Sequence, residues 1–375
     1  MFLAWHDLRH ARGRFALVTS VVALITLLVA LLAALTAGLG RASTSAVVDL
    51  PADRLAFSTP DEVGADPTFT QSQVTEEQWT AWAATDGVSW AQPLGVAPTR
   101  ATSSGAAGTT AAVTALGVEP GSPLLPEHPG GTGPGSLVDG TVVLSHGAAE
   151  ALAAVPGDDV TIAASTLAVV AVTAQDADLA HTPVVWITLA DWQSVGAHAT
   201  SSTTGPVATV VALGLSASAD PVALATADSR IGTTTLTLAG SRSAVGSYAA
   251  EHLSLTMMQV FLLVISALVV GVFFTVWTID RGRDIAVVKA LGGSTGYLVR
   301  DAIGQAAVVL VLGAAVGAGL ATVTGLLAAT VMPVVVAVST VVVPAALLTV
   351  LGLVGATVSI ARIATVEPHS ALAAR

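Results

Sequence analysis

Three stretches of this chain carry no charge over lengths that a water-soluble fold does not tolerate. Phe15–Gly40 has none across 26 residues, Leu253–Ile279 none across 27, and Ala302–Ala361 none across 60. A hydrocarbon core about 30 Å thick needs about 20 helical residues rising 1.5 Å each. The first two stretches therefore hold one span apiece. The third holds two, with a break expected between Met332-Pro333 and Pro344. Charged residues make up only 10% of the 375, against roughly 25% in soluble domains. The expected fold is a membrane protein with four transmembrane α-helices, arranged 1 + 3, and a large α+β extracytoplasmic domain between the first and second.

Charge placement orients these pieces. Residues 41–250 hold 5 basic and 19 acidic side chains, while the other 9 basic residues flank the apolar stretches elsewhere. Cytoplasmic flanks of spans collect Lys and Arg, so both termini are expected in the cytoplasm of a multi-pass plasma-membrane protein. The resulting segments are a cytoplasmic amphipathic N-terminal helix (1–14), a first span (15–40), the extracytoplasmic domain (41–250) and a second span (251–279). A cytoplasmic helix (280–301), a third span (302–332), an outer turn (333–343), a fourth span (344–361) and a cytoplasmic tail (362–375) complete the chain. In the N-terminal segment Phe2, Trp5 and Leu8 fall near one face and His6, Arg9, His10 and Arg12 crowd the other, a pattern that suits the lipid interface. The first span is longer than the apolar core of a signal peptide and is read as an uncleaved anchor. The net charge of −11 argues against nucleic acid as a partner.

Within 41–250 the punctuation is that of a mixed fold. Thr75 and Gln78 form a capping box, Ser145 caps a helix, and Asp220-Pro221 start another that runs to about Arg230. Strand-like runs "VSWAQPLGVAPT" and "TTAAVTALGV" are separated by a Gly/Ser turn, and residues 120–136 form a Pro/Gly loop. The order of strands and helices suggests one or two split α/β sandwiches. In the third apolar stretch Gly313 and Gly317 make a small-xxx-small pair that permits close helix approach.

Chemistry-bearing motifs are sparse. There are no cysteines, which removes disulfides, thiolate metal sites and Cys nucleophiles. The only lysine, Lys289, lies in "AVVKALG", so no phosphate loop of the G-x-x-x-x-G-K-[ST] type exists and the chain holds no ATP in that way. The eight histidines show no metal spacing, and no catalytic constellation is found. One cluster is site-like. Tyr248, Glu251, Leu255 and Met258 recur at helical spacing, next to His252 and Met257, and Met332 ends the third span. A carboxylate and thioethers at outer-leaflet depth could receive an amphipathic or metal-bearing ligand. Equally, Glu251 and His252 could cap the helix while the methionines pack.

The layout, together with "GRDIAVVKALGGSTGYLVRDAIGQ" after the second span, resembles the FtsX/MacB-type ABC transporter permeases. Arg283, Ile285, Val288, Lys289, Leu291 and Gly292 fill that family's signature. The outer "VVLSHGAAEAL" and "PGDDVTI" are similar to its extracytoplasmic domain. Within the family, "MFLAWHDLRHARGRFALV" and "SYAAEHLSLTMMQVF" look most like the haem-exporting and DevC-like permeases. The resemblance implies a homodimer with two copies of a separate cytosolic ABC ATPase, which binds ATP and Mg. It implies mechanotransmission of haem or a similar hydrophobic cargo out of the membrane by a subunit that is not itself an enzyme and carries no cofactor. Residues 280–301 would then be a coupling helix, docking through the stripe Ile285, Val288 and Leu291. Glu251, Met258, Met257, Met332, His252 and Tyr248 would line the cargo site. The same resemblance leaves a second role open, an FtsX-like regulatory scaffold moving an extracytoplasmic partner, and a third, lipid or lipoprotein extraction.

Overall fold

The computed structural model describes residues 12–58, 66–105, 108–126, 137–195, 205–280 and 294–361. The chain forms two compact units: Gly40–Glu251, and Met1–Leu39 together with His252–Arg375.

In the second of these, four helices are long and apolar enough to cross a membrane among the described residues. They are α1 (Arg12–Val48), α6 (Gly246–Asp280), α7 (Thr295–Ala328) and α8 (Val338–Ala361). Apolar side chains gain nothing by leaving lipid for each other, so association depends on small residues that let backbones touch. The expected Gly313–Gly317 pair does this: Gly313 lies against Val22 and the Thr19 carbonyl of α1, and Gly317 against Thr26 and the Ala23 carbonyl. Likewise Gly355 of α8 faces the Ala267 carbonyl of α6, and Ser359 Oγ donates to the Gly271 carbonyl at 2.9 Å. Phe15, Phe274 and Trp277 stack edge-on at centroid distances of 6.3 and 5.9 Å. Helix α8 begins at Val338, six residues before the expected Pro344. Its first turn is held by the Ala337 N–H donating to Thr340 Oγ1 at 2.9 Å. Pro344 therefore sits inside the helix and forfeits only the bond to the Thr340 carbonyl.

The other unit is built on strands β1 (Arg54–Phe57), β2 (Val74–Thr75), β3 (Val88–Ser103), β4 (Thr110–Val118), β5 (Thr141–Leu144) and β6 (Asp159–Ile162). They continue as β7 (Ser165–Val172), β8 (Asp178–Leu179), β9 (Thr182–Thr188), β10 (Val207–Ala208), β11 (Val210–Leu215) and β12 (Thr234–Thr237). Helices α2 (Glu76–Ala83), α3 (His146–Leu152), α4 (Leu189–Ser194) and α5 (Pro221–Ile231) lie between them. Each starts on its expected or an equivalent cap. The Thr75 N–H donates to Gln78 Oε1 at 3.1 Å, Ala148 N–H to Ser145 Oγ at 3.2 Å, Val222 N–H to Asp220 Oδ1 at 3.0 Å, and Asp191 N–H to Thr188 Oγ1 at 3.2 Å.

The main sheet runs β12-β1-β11-β3-β4-β9-β5-β7-β6. It differs from the expected split sandwiches because the 16-residue β3 pairs twice along one edge, with β11 over Val88–Leu94 and with β6 over Ala101–Ser103. The second pairing closes a circuit through β3, β4, β9, β5, β7 and β6. Both faces of β5, β9, β11 and most of β4 are buried, so neighbouring residues there alternate between two cores. Val185 and Ile187 face Trp82, Leu152 and Trp192. Val184 and Trp186 face Phe57, Leu94 and Leu116, and the last turns of α1, through Ala46 and Val47, belong to that second core. This two-sided burial is why those strands read as nearly unbroken apolar runs, whereas β7 alternates buried and exposed residues.

Trp192 of α4 lies directly over Gly95 and Gly117, which face each other across β3 and β4. Any Cβ there would enter the indole. Gly117→Val is expected to destabilise the sheet domain by about 1–3 kcal/mol through overpacking, read as a lower thermal unfolding midpoint in the purified chain.

Candidate functional site

The site residues suggested by the sequence divide between the two units. In the membrane unit Met258 lines an apolar groove of about 530 Å³ between α1 and α6, together with Phe261, Leu262 and the α1 leucines 28, 31, 32 and 35. Periodicity explains the α1 wall, because 28, 31, 32 and 35 recur at helical spacing. The two helices are also joined by a polar bond, Gln259 Nε2 donating to Thr36 Oγ1 at 2.9 Å. Such bonds between spans are worth on the order of 0.6–2 kcal/mol. Met257 is half exposed on the neighbouring face of α6, His252 is exposed at its start, and Met332 is half exposed between α7 and α8. The groove's surface is almost wholly hydrocarbon, thioether and aromatic ring. It can hold a flat or flexible apolar molecule, and it has no charged group of its own.

Tyr248 and Glu251 belong to the sheet domain. Tyr248 rests against Gly40 and the second core. Glu251 is bonded: His181 Nε2 lies 3.0 Å from both carboxylate oxygens and 2.8 Å from Ser43 Oγ. A carboxylate can only accept, so its contact with His181 assigns a proton to Nε2, aimed at Glu251. Ser43 Oγ is closest to the ring nitrogen that meets the carboxylate and lies 3.5 Å from Nδ1, whereas nucleophile activation needs serine and carboxylate bonded to opposite nitrogens. The cluster therefore ties three segments together: α1, the turn before β9, and α6. Around it the Ala180 N–H donates to the Ser43 carbonyl at 2.9 Å, and the Asp178 N–H to Ser45 Oγ at 2.9 Å. Ala180 and His181 both take the left-handed backbone, at φ 51° and 63°. No Gly or Asn marks that turn, so nothing in the local sequence points to it.

Half-buried Asp178 is pushed above the usual carboxylate range, first by burial and then by the Asp176 carboxylate, with His181 pulling it back. The folded state thus keeps this proton to higher pH than the unfolded chain does. Its contribution to stability is complete below the unfolded pKa and is lost as pH rises through the folded pKa. Asp178→Asn should accordingly raise the unfolding midpoint at pH 7 and leave it nearly unchanged near pH 3. The Ser45 contacts use only the Asp178 backbone and survive the change.

Arg283, Ile285, Val288, Lys289, Leu291 and Gly292 lie outside the described residues, as do residues 1–11, most of the Pro/Gly loop and the tail beyond 361. Among the described residues no group of three or more His, Cys, Asp or Glu could hold a metal ion.

Residues 256–368, which include most of α6 and all of α7 and α8, match the FtsX-like permease C-terminal family. That stretch is an FtsX-like permease domain. Two Staphylococcus epidermidis proteins named as the hemin transport system permease HrtB are similar to parts of the chain. One is 35% identical over 103 residues, which is 28% of this chain and 28% of that protein. The other is 35% identical over 85 residues, 23% and 24% of the two chains. The chain thus matches about a quarter of the length of these curated relatives. Among solved structures, the extracellular domain of the ABC-type transporter YknZ from Gram-positive bacteria is 16% identical and gives a TM-score of 0.35, over 49% of this chain and 98% of that one. The periplasmic region of MacB from Actinobacillus actinomycetemcomitans is 10% identical with a TM-score of 0.35, over 51% and 91%.

Proposed function

We propose that the chain is the permease subunit of an ABC-type efflux transporter of the mechanotransmission kind, exporting haem or a similar hydrophobic molecule from the membrane. Two copies of a separate cytosolic ATPase would bind ATP and Mg and drive a homodimer of this chain. The FtsX-like domain at 256–368 supports the permease role. The sequence's lack of a phosphate loop supports a separate motor. The partial likeness to the HrtB proteins motivates haem as cargo. With 5 basic against 19 acidic residues in 41–250, the sheet domain is assigned to the outside and both termini to the cytoplasm.

The observation that carries this reading is the apolar groove between α1 and α6. It is of a size usual for small-molecule sites, about 300–1,000 Å³, and it lies in the membrane-spanning unit. Met258 and Phe261 offer a polarisable thioether and a ring face to a flat macrocycle. Met258 is therefore the first residue assigned to cargo. Met257, His252, Met332, Tyr248 and Glu251 are secondary, and Glu251 acts through its bond to His181. Residues 280–301 are assigned to motor docking through Ile285, Val288 and Leu291, flanked by Arg283 and Lys289.

With the partner ATPase in liposomes, the wild-type chain should give a haem Soret shift and haem-stimulated ATP hydrolysis. Leu32→Trp, which fills the groove, should cut the ratio of stimulated to basal hydrolysis about tenfold. A wild-type complex with neither a Soret shift nor stimulation would defeat the cargo assignment. Val288→Glu should leave the membrane domain folded but separate ATP hydrolysis from export. Normal export by that variant would remove the docking role.

A further inference from the structure

The sheet domain contains a second cavity, unrelated to the membrane groove. Its volume is about 410 Å³, and its walls include Phe69, Val96, Pro98, Leu179 and Val245. It lies beside an interruption in the sheet. Among the described residues, the edge of β3 that pairs with β11 up to Leu94 and with β6 from Ala101 has no strand partner in between. Backbone groups alternate between the two edges of a strand. The Leu94 carbonyl accepts from Thr209 N–H at 3.0 Å, and the Val96 N–H donates to Thr209 Oγ1 at 2.8 Å. Even-numbered residues therefore face this edge, and Pro98 is the next of them. Proline has no N–H, so at that point the edge presents a carbonyl acceptor and no donor. Thr70, Thr99 and Thr114 add hydroxyls to an otherwise apolar lining, and Thr114 Oγ1 is already committed to Thr182 Oγ1 at 2.6 Å.

We infer that this cavity is a binding site for a compact apolar molecule with one hydrogen-bond-donating group, a hydroxyl or an uncharged amino group. An added peptide strand does not fit. The gap is closed at both ends by β11 and β6, and Pro98 cannot donate to a partner backbone. A small molecule does fit, since 410 Å³ lies at the lower end of the usual range of about 300–1,000 Å³. The wall formed by Ala244, Val245 and Gly246 leads straight into the first two turns of α6, which carry Tyr248 and Glu251. The Phe69 N–H donates to the Ala244 carbonyl at 3.2 Å, so an occupant would brace the segment that starts that helix. The inference is independent of the haem reading, because it uses only residues of the sheet domain.

The test uses the full chain in lipid nanodiscs with 1-aminoanthracene, a fluorescent apolar amine. A saturable signal above that of empty nanodiscs is expected. Thr70→Trp and Thr99→Trp, each placing a large side chain at the cavity, should weaken it at least tenfold. Val222→Trp on the exposed face of α5 should not change it. Thermal midpoints measured alongside identify any variant that fails to fold. Anthracene, which lacks the donor, should compete about three- to tenfold less well, the value of one net hydrogen bond. The site is overturned by a signal equal to empty nanodiscs, by binding undiminished in both folded cavity variants, or by loss of binding in Leu28→Trp of the membrane groove instead. Equal competition by anthracene overturns the donor specificity.

Discussion

Hydrocarbon offers the backbone no hydrogen bonds, and the whole chain is arranged around that fact. Among the described residues, every strand lies between the first and second spanning helices, where water or a neighbouring strand can satisfy it. Inside the membrane unit the hydrophobic effect gives helices no reason to meet, so contact falls to glycines that admit a facing carbonyl. Gly313 and Gly317 do this against α1, and Gly355 does it against α6. The few polar bonds between spans, such as Gln259 to Thr36, fix which faces meet. What is left over on α6 is a stripe of exposed apolar side chains, among them Leu253, Phe261, Val264, Leu268 and Val272. In lipid that stripe costs nothing.

The spanning helices are longer than a bilayer requires. Helix α1 has 37 residues, about 55 Å at 1.5 Å each, and its last turns supply Ala46 and Val47 to the core of the sheet domain. There Ser43 and Ser45 are held by His181 and by the Asp178 backbone, and the same histidine holds Glu251 of α6. Both helices are thus anchored to one short turn by bonds that are individually modest and jointly directional.

Much of this was legible in the sequence. The uncharged stretches announce the spans, since length and charge are properties of single segments. So are the caps at Thr75, Ser145 and Asp220, each formed within a few residues. The Gly313–Gly317 pair was readable as a helix contact, although not its partner. What escaped was non-local. The closing of the sheet by β6 onto β3 depends on pairing between residues about 60 apart in sequence. The bonding of Glu251 depends on a histidine 70 residues away in a turn whose left-handed backbone is carried by alanine and histidine. Glu251 and Met258 share a helical spacing, yet that spacing cannot reveal that one belongs to the sheet domain and the other to the membrane groove.

The sheet's edge also sets an order of events for a chain made from its N-terminus. Strand β1, which follows directly on the first spanning helix, has as its neighbours β11 and β12, the last strands of the domain to be synthesised. Closing so long a loop is entropically slow, and β1 has nothing to pair with until residues 210–237 have emerged. Until then, among the described residues, α1 is the only spanning helix that has been made. The strands that complete the sheet end at Thr237, nine residues before α6 begins at Gly246, so the last partners of β1 and the second spanning helix leave the ribosome almost together.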